Sequence, residues 1–150
     1  MNACFCLRAI LRLVTVAVLL LVGGCLEQDG RLLDPAAAVE IMRQNKDNPA
    51  FIILDVRTEQ EFRQGHIKGA VLLDYYAPDF RDRFASLDRD APIFMYCRSG
   101  NRSSHVLKMA DELGFKVVYD LRGGILAWNA AGLPLMMWGA DLEQPPSPHS

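Results

Sequence analysis

The 150-residue sequence has no excess of positive charge: 16 Lys and Arg stand against 18 Asp and Glu, a formal net charge of −2. No basic run marks an electrostatic footprint for nucleic acid, so no nucleic-acid partner is expected. No group of His, Cys or carboxylate residues has the spacing of a metal site, and no cofactor is called for. There is no internal repeat. Nor is there an apolar run long enough to cross a bilayer. The N-terminal stretch Leu13 to Val22 is interrupted by Thr15 and falls short of the ~20 residues a span needs. Cysteine is scarce, at four residues, Cys4, Cys6, Cys25 and Cys97. What remains is a globular composition, 51% hydrophobic and 23% charged, at a length suited to one domain.

The short N-terminal run has a processing explanation. Arg8 and Arg12 precede it, and Gly23, Gly24 and Cys25 follow it. A basic start, roughly ten apolar residues and a small-residue site are the parts of a secretory signal peptide, expected over 1–24. An uncleaved anchor helix is the alternative, since Ile10 and Leu11 lengthen the run. Val22-Gly23-Gly24-Cys25 resembles a bacterial lipobox. That resemblance implies lipid on Cys25, a mature chain beginning there, and anchoring by acyl chains rather than by a span. The expected place is the periplasmic side of a bacterial membrane, with a soluble periplasmic domain as the alternative. Leu26 rather than an acidic residue follows Cys25, which by the same resemblance allows an outer-membrane destination. Removing Arg8 and Arg12 leaves 14 basic and 18 acidic residues, so any anion site must be built locally. Cys97 would be the one free thiol of the mature chain.

Residues 25–31 read as a tether, 32–134 as the domain and 135–150 as a tail, whose last part, Gly139 to Ser150, holds three prolines and is expected to be disordered. Within the domain, Asp34-Pro35 opens a helix. Phe51 to Leu54, Ala70 to Leu73, Pro92 to Tyr96 and Val117 to Tyr119 are apolar runs of buried strands. Between them lie a short helix begun by a Thr58/Glu61 capping box, a helix over Pro78 to Leu87, and one ending at Leu113 before Gly114. A last helix runs from Gly123 to Ala131. Strands alternating with helices predict an α/β fold, a parallel sheet with helices on both faces.

The segment Cys97-Arg98-Ser99-Gly100-Asn101-Arg102-Ser103-Ser104 follows the third strand and opens a helix. Ligands bind at that edge of a parallel sheet. Gly100 and Asn101 tolerate left-handed backbone and would let the loop curl so that N–H groups point inward, a nest for an anion. Because Cys97 stands at the rim, the anion favoured is its own thiolate, with Arg98 and Arg102 adding positive charge. Such a cysteine is an activated nucleophile without an adjacent base. The alternative, a structural cysteine at a strand end, leaves the polar loop and its Gly-Asn pair without a purpose.

The loop resembles the active-site loop of the rhodanese superfamily, whose pattern is Cys-Arg-Ser-Gly-X-Arg-Ser. Three further segments match in order: Leu54-Asp55-Val56-Arg57; Glu61-Phe62 with Gly65-His66-Ile67-Lys68-Gly69-Ala70; and Leu121-Arg122-Gly123-Gly124-Ile125 with Ala127-Trp128. Cysteine phosphatases have a similar arrangement but hold an arginine six positions after the nucleophile. Here Arg102 is five after Cys97, and Ser103 takes the sixth place. The resemblance implies a rhodanese-like fold and a sulfurtransferase. Cys97 would take a sulfane sulfur from a small anionic donor such as thiosulfate and pass it to cyanide or a thiol. A protein-directed sulfur carrier with little small-molecule turnover is the other reading. Arg98 is expected at the donor's anionic end, Ser99, Gly100, Asn101 and Ser103 in the cradle, and Arg102 bracing the loop from within through Asp55. His66 is expected to make a structural hydrogen bond, His105 to lie on the helix surface and Trp128 in the core. Tyr75-Tyr76 depart from the small and Ile/Pro residues of many relatives. If they line the pocket mouth, they bear on acceptor preference. A monomer is expected.

Overall fold

The computed structural model of the protein describes residues 30–137, so Cys25 and the expected signal segment lie outside the described residues. The element order is β1 (Leu32–Leu33), α1 (Pro35–Gln44), β2 (Ile52–Asp55), α2 (Glu59–Arg63), β3 (Ala70–Leu72), α3 (Phe80–Ala85), β4 (Ile93–Tyr96), α4 (Asn101–Leu113), β5 (Val118–Leu121) and α5 (Gly124–Ala130). The strands form one sheet, all parallel, in the order β1-β5-β4-β2-β3.

Local chemistry accounts for the helix starts. The Asp34 carboxylate accepts the Ala37 N–H at 2.8 Å, with Pro35 at the first position, where its missing N–H costs nothing. Thr58 and Glu61 form the reciprocal capping box. Gly114 ends α4 in the left-handed conformation, φ 79°.

Burial explains the continuous apolar strands. β4 sits in the middle of the sheet and all four of its residues are buried. One face of the sheet packs Leu54, Met95 and Val118 against Phe80 and Phe84 of α3 and Val106 and Ala110 of α4. The other packs Phe94, Tyr96 and Leu121 against Ala38 of α1 and Ile125 and Trp128 of α5. Side chains that alternate along each strand thus supply two cores.

Three expectations are corrected. A fifth strand, β1, lies in the stretch read as leading straight from tether to helix. Its two residues pair with Asp120 and Leu121 of β5, and two residues are too few to show a period. The helix expected over Pro78 to Leu87 is confined to Phe80–Ala85. The domain also runs past Pro134: the backbones of Met136 and His66 exchange hydrogen bonds of 2.7 and 2.9 Å, and Leu135 packs against the second core.

The topology fixes where a site can form. The chain leaves β2 toward β3 on one side, and leaves β4 toward β5 on the other. Adjacent strands whose connections diverge open a crevice beyond their C-terminal ends. The loops after Asp55 and after Tyr96 flank that crevice.

Candidate active site

Cys97 follows the last residue of β4 and is 1% exposed. Gly100 has φ 94°, a conformation that L side chains rarely adopt, and it caps the N-terminus of α4. This turn brings the Gly100 N–H to 3.1 Å from Cys97 Sγ, and the Ser103 hydroxyl lies 3.5 Å away. Asn101 does not share the left-handed geometry expected of it. Among the described residues only glycines have positive φ, and Asn101 is already the first helical residue. Burial works against the Cys97 thiolate. The hydroxyl and N–H of Ser103, with the N–H groups of Ser99 and Gly100, outweigh it and hold the thiol below its ordinary range. Hydrogen-bond donors therefore lead in favouring the anion, with the Arg102 charge acting on it as well, at the positive end of a 13-residue helix.

A curled loop needs its carbonyls held outward, and α5 does this. Its N–H groups of Ile125 and Leu126, which have no partner inside the helix, donate to the carbonyls of Cys97 at 2.9 Å and Arg98 at 3.2 Å. The approach requires glycine: a Cβ on Gly124 would stand 2.5 Å from the Cys97 oxygen and 2.6 Å from the Arg98 carbonyl carbon and oxygen. The Gly123-Gly124 pair thus serves the loop, although it lies more than twenty positions later in the chain.

Arg102 does brace the loop, but its partner is Glu61 rather than Asp55. Its two terminal nitrogens donate to the two Glu61 oxygens, each at 2.8 Å, in a forked pair. Thr58 holds the same carboxylate from behind. Arg102, with Thr58 and against some burial, keeps Glu61 down to about 2. Asp55 is fully buried and clamps Arg57 instead, accepting from its Nε at 2.9 Å and its terminal nitrogen at 2.6 Å. The same nitrogen donates to the Gly65 carbonyl at 2.7 Å, so Asp55 steadies the loop after β2. Sequence reading placed Glu61 in a capping box and left its second role unseen, because the partner lies 41 positions away.

Two recesses open on either side of Arg98. One, of about 450 Å3, is lined by Thr58, Tyr75, Tyr76, Ser99, Asn101 and His105 with Glu61 and Arg102. The other, of about 200 Å3, is lined by Arg57, Gln64, Gly65, Ile125, Leu126, Asn129 and Leu135 with Glu61. Arg98 is exposed and borders both. The two tyrosines do line the larger mouth. Tyr76 is 67% exposed, with the Arg102 guanidinium 5.7 Å above its ring, and the Tyr75 hydroxyl lies 3.4 Å from exposed His105. His66 is buried, stacks on Phe62 at 3.9 Å and meets the Phe62 carbonyl through Nδ1 at 3.2 Å. Trp128 is in the core, with its N–H on the Pro134 carbonyl. Among the described residues no group of three His, Cys, Asp or Glu is placed to hold a metal ion.

Comparison with known proteins agrees with this geometry. A rhodanese-like domain model matches residues 38–131. A sulfurtransferase of Allochromatium vinosum is 34% identical over 90 residues, 60% of this chain and 82% of that protein. A tRNA uridine(34) hydroxylase of Chlamydia trachomatis is 35% identical over 108 residues, 68% of this chain. The match covers only 32% of the hydroxylase's length, so the chain spans about a third of it. Among solved structures, a rhodanese-related protein of Thermoplasma volcanium superposes with a TM-score of 0.59 at 28% identity, over 71% of this chain and 98% of its own. With a five-stranded parallel sheet, a cysteine cradled at a strand end and a matching sequence model over most of the described residues, the chain belongs to the rhodanese-like domain family.

Proposed function

We propose that the domain is a sulfurtransferase that carries sulfane sulfur as a persulfide on Cys97. The observation that carries this reading is the cradle: inward N–H and hydroxyl donors around Sγ, with the loop carbonyls tied outward to α5. In the first step the Cys97 thiolate attacks the outer sulfur of thiosulfate. The S–S bond to Cys97 forms as the donor's S–S bond breaks, and sulfite leaves with the electron pair. The persulfide's terminal sulfur inherits the negative charge. In the second step cyanide or a thiolate attacks that sulfur, and the Cys97 thiolate leaves. Double displacement of this kind gives ping-pong kinetics. Arg98, exposed at the border of both recesses, would meet the donor's anionic end.

Phosphate-ester hydrolysis is disfavoured by the same geometry. The arginine five positions on is committed to Glu61, and the sixth position presents the Ser103 hydroxyl to Sγ rather than a guanidinium to a phosphate. The lipid anchor at Cys25, with the domain on the periplasmic side of a bacterial membrane, belongs to the same proposal. It is supported by the Val22-Gly23-Gly24-Cys25 sequence. Cys25→Ser should release the protein from the membrane fraction, and retention of the variant there would remove this part of the reading.

The deciding experiment is mass spectrometry of the full chain before and after thiosulfate. Tryptic cleavage isolates Asp90 to Arg98, which contains Cys97 as its one cysteine. Gain of one sulfur on that peptide, lost with cyanide and absent in Cys97→Ser, is expected. Folded, reduced protein that gains no sulfur would refute thiosulfate as donor. Steady turnover with thiosulfate and cyanide separates an enzyme from a carrier that loads once.

A further inference from the structure

The larger recess offers more room and more aromatic surface than thiosulfate or cyanide uses. Its volume of about 450 Å3 falls within the roughly 300–1,000 Å3 of sites that hold organic ligands. Arg98, Ser99, Asn101 and Arg102 bring the Cys97 loop to its lining, and in the same loop the Gly100 N–H stands 3.1 Å from Sγ. Tyr75 and Tyr76 give the aromatic part of the lining. A ligand held by these rings therefore lies beside the sulfur-carrying loop.

The two rings are held in place. After β3 the Asp74 carboxylate accepts the Tyr76 N–H at 2.9 Å, and the Asp74 carbonyl accepts the Ala77 N–H at 3.0 Å. Such a turn fixes the backbone from which both tyrosines project. The half-buried Tyr75 ring meets Phe80 of α3 edge-on at 5.4 Å and packs against the first core, and its hydroxyl lies 3.4 Å from His105 Nδ1. The Tyr76 ring stands 5.3 Å from Tyr75 at 80°. Arg102, itself forked onto Glu61, lies 5.7 Å over it. Tyr76 is nevertheless 67% exposed. A lone exposed aromatic is ordinary. This one is braced by a turn, a ring edge and a locked guanidinium, so a ligand that covers it loses little to ordering the site.

Charge narrows the ligand further. Glu61 matches Arg102 through two hydrogen bonds of 2.8 Å. Among the described residues no carboxylate pairs with Arg98, so one negative group on the ligand completes the recess. Cyanide is too small to cover the rings while it reaches sulfur, and a small neutral thiol leaves Arg98 unmatched. A short peptide thiol has planar amides to lie on Tyr76 and a carboxylate for Arg98. We propose that this recess is an acceptor subsite for a carboxylate-bearing peptide thiol, with Tyr76 as its specificity-determining residue and Arg98 as the partner of its carboxylate. The inference rests on Cys97 carrying the sulfur. Sulfite has left before the acceptor arrives, so Arg98 serves each substrate in turn. The acceptor thiolate attacks the outer sulfur of the Cys97 persulfide. Its S–S bond forms as the bond to Cys97 breaks, the Cys97 thiolate leaves with the electron pair, and the acceptor departs as a persulfide anion.

The test is protection of Cys97 in the full chain by S-methylglutathione, a carboxylated peptide thioether that cannot accept sulfur. Alkylation by iodoacetamide is read on the Asp90–Arg98 peptide. S-methylglutathione should slow it saturably. Tyr76→Ala should need about two- to tenfold more for half protection, the worth of one aromatic contact, and Tyr76→Phe should match wild type. The diethyl ester, with no free carboxylate, should need about two- to fivefold more on wild type. Each variant's rate without ligand is its reference, so any loosening of the loop through Arg102 is divided out. On protein loaded from thiosulfate, the ratio of glutathione to cyanide discharge rates should fall in Tyr76→Ala by the same factor as protection. No protection of wild type, equal protection of Tyr76→Ala, an unchanged discharge ratio, or an ester as protective as the acid would overturn the proposal. Protection requires no sulfur donor. Protection without sulfur loading therefore counts against the persulfide reading alone, and loading without protection counts against the acceptor subsite alone.

Discussion

Replacing Gly124 by alanine tests whether α5 shapes the Cys97 loop. Two costs can be worked from the structure. Gly124 has φ 59°, and an L side chain in that region costs roughly 1–2 kcal/mol. The added Cβ would also lie 2.5 to 2.6 Å from the Cys97 oxygen and the Arg98 carbonyl, so α5 must move away from the loop. That movement breaks the Ile125 and Leu126 hydrogen bonds, worth about 1 kcal/mol each, for a total of about 3–4 kcal/mol. Gly132→Ala is the control, since Gly132 has φ 70° but nothing within 4 Å of the added carbon. It should lose only the conformational part, about 1–2 kcal/mol. Urea unfolding compares the two stabilities. Sulfur loading of Cys97, measured at urea-free conditions where both variants are folded, compares the two loops. Gly124→Ala should load slowly while Gly132→Ala loads normally. Equal losses of stability, or normal loading in Gly124→Ala, would refute the argument that α5 holds the loop carbonyls outward.

Further substitutions separate the other parts of the site. Arg98→Ala should raise the KM for thiosulfate about tenfold with a smaller change in kcat, as expected for loss of one exposed charge contact to substrate, and unchanged KM would remove Arg98 from donor binding. Asp55→Ala strands the buried Arg57 guanidinium and should cost about 3–5 kcal/mol in urea unfolding; a loss below about 1 kcal/mol would contradict that pairing. Glu61 is lowered in the folded state to about 2 from an unfolded value of about 4.3. Its contribution is therefore fully present above pH ~4.3 and lost as pH falls through about 2. Glu61→Gln should be less stable than wild type at neutral pH, and the difference should shrink across that acid window. A constant difference would mean the carboxylate charge is not what holds Arg102.

How much of this was legible in the sequence follows the range of the forces involved. Helix caps at Asp34 and Thr58 depend on groups three residues apart, and buried strands announce themselves as apolar runs. The cysteine loop was legible because its special backbone needs a glycine at position 100, and because four segments resemble one family in order. Strand ends shifted by a residue or two, since burial and pairing partners, not local preference, decide where a ladder stops. β1 went unseen because pairing with β5 alone makes its two residues a strand. The tertiary structure also decided which carboxylate meets which arginine. From the sequence, Asp55 was the carboxylate expected to meet Arg102. Arg57, two positions from Asp55, takes it inside the buried turn, so Arg102 is left facing Glu61 across 41 residues. The sequence by itself determined the class of fold and the glycine-turned loop after Cys97, because those rest on backbone preferences and apolar pattern. Partners distant in the chain were decided by tertiary packing, because hydrogen bonds and ion pairs depend on separations of a few ångströms that no spacing in the sequence encodes.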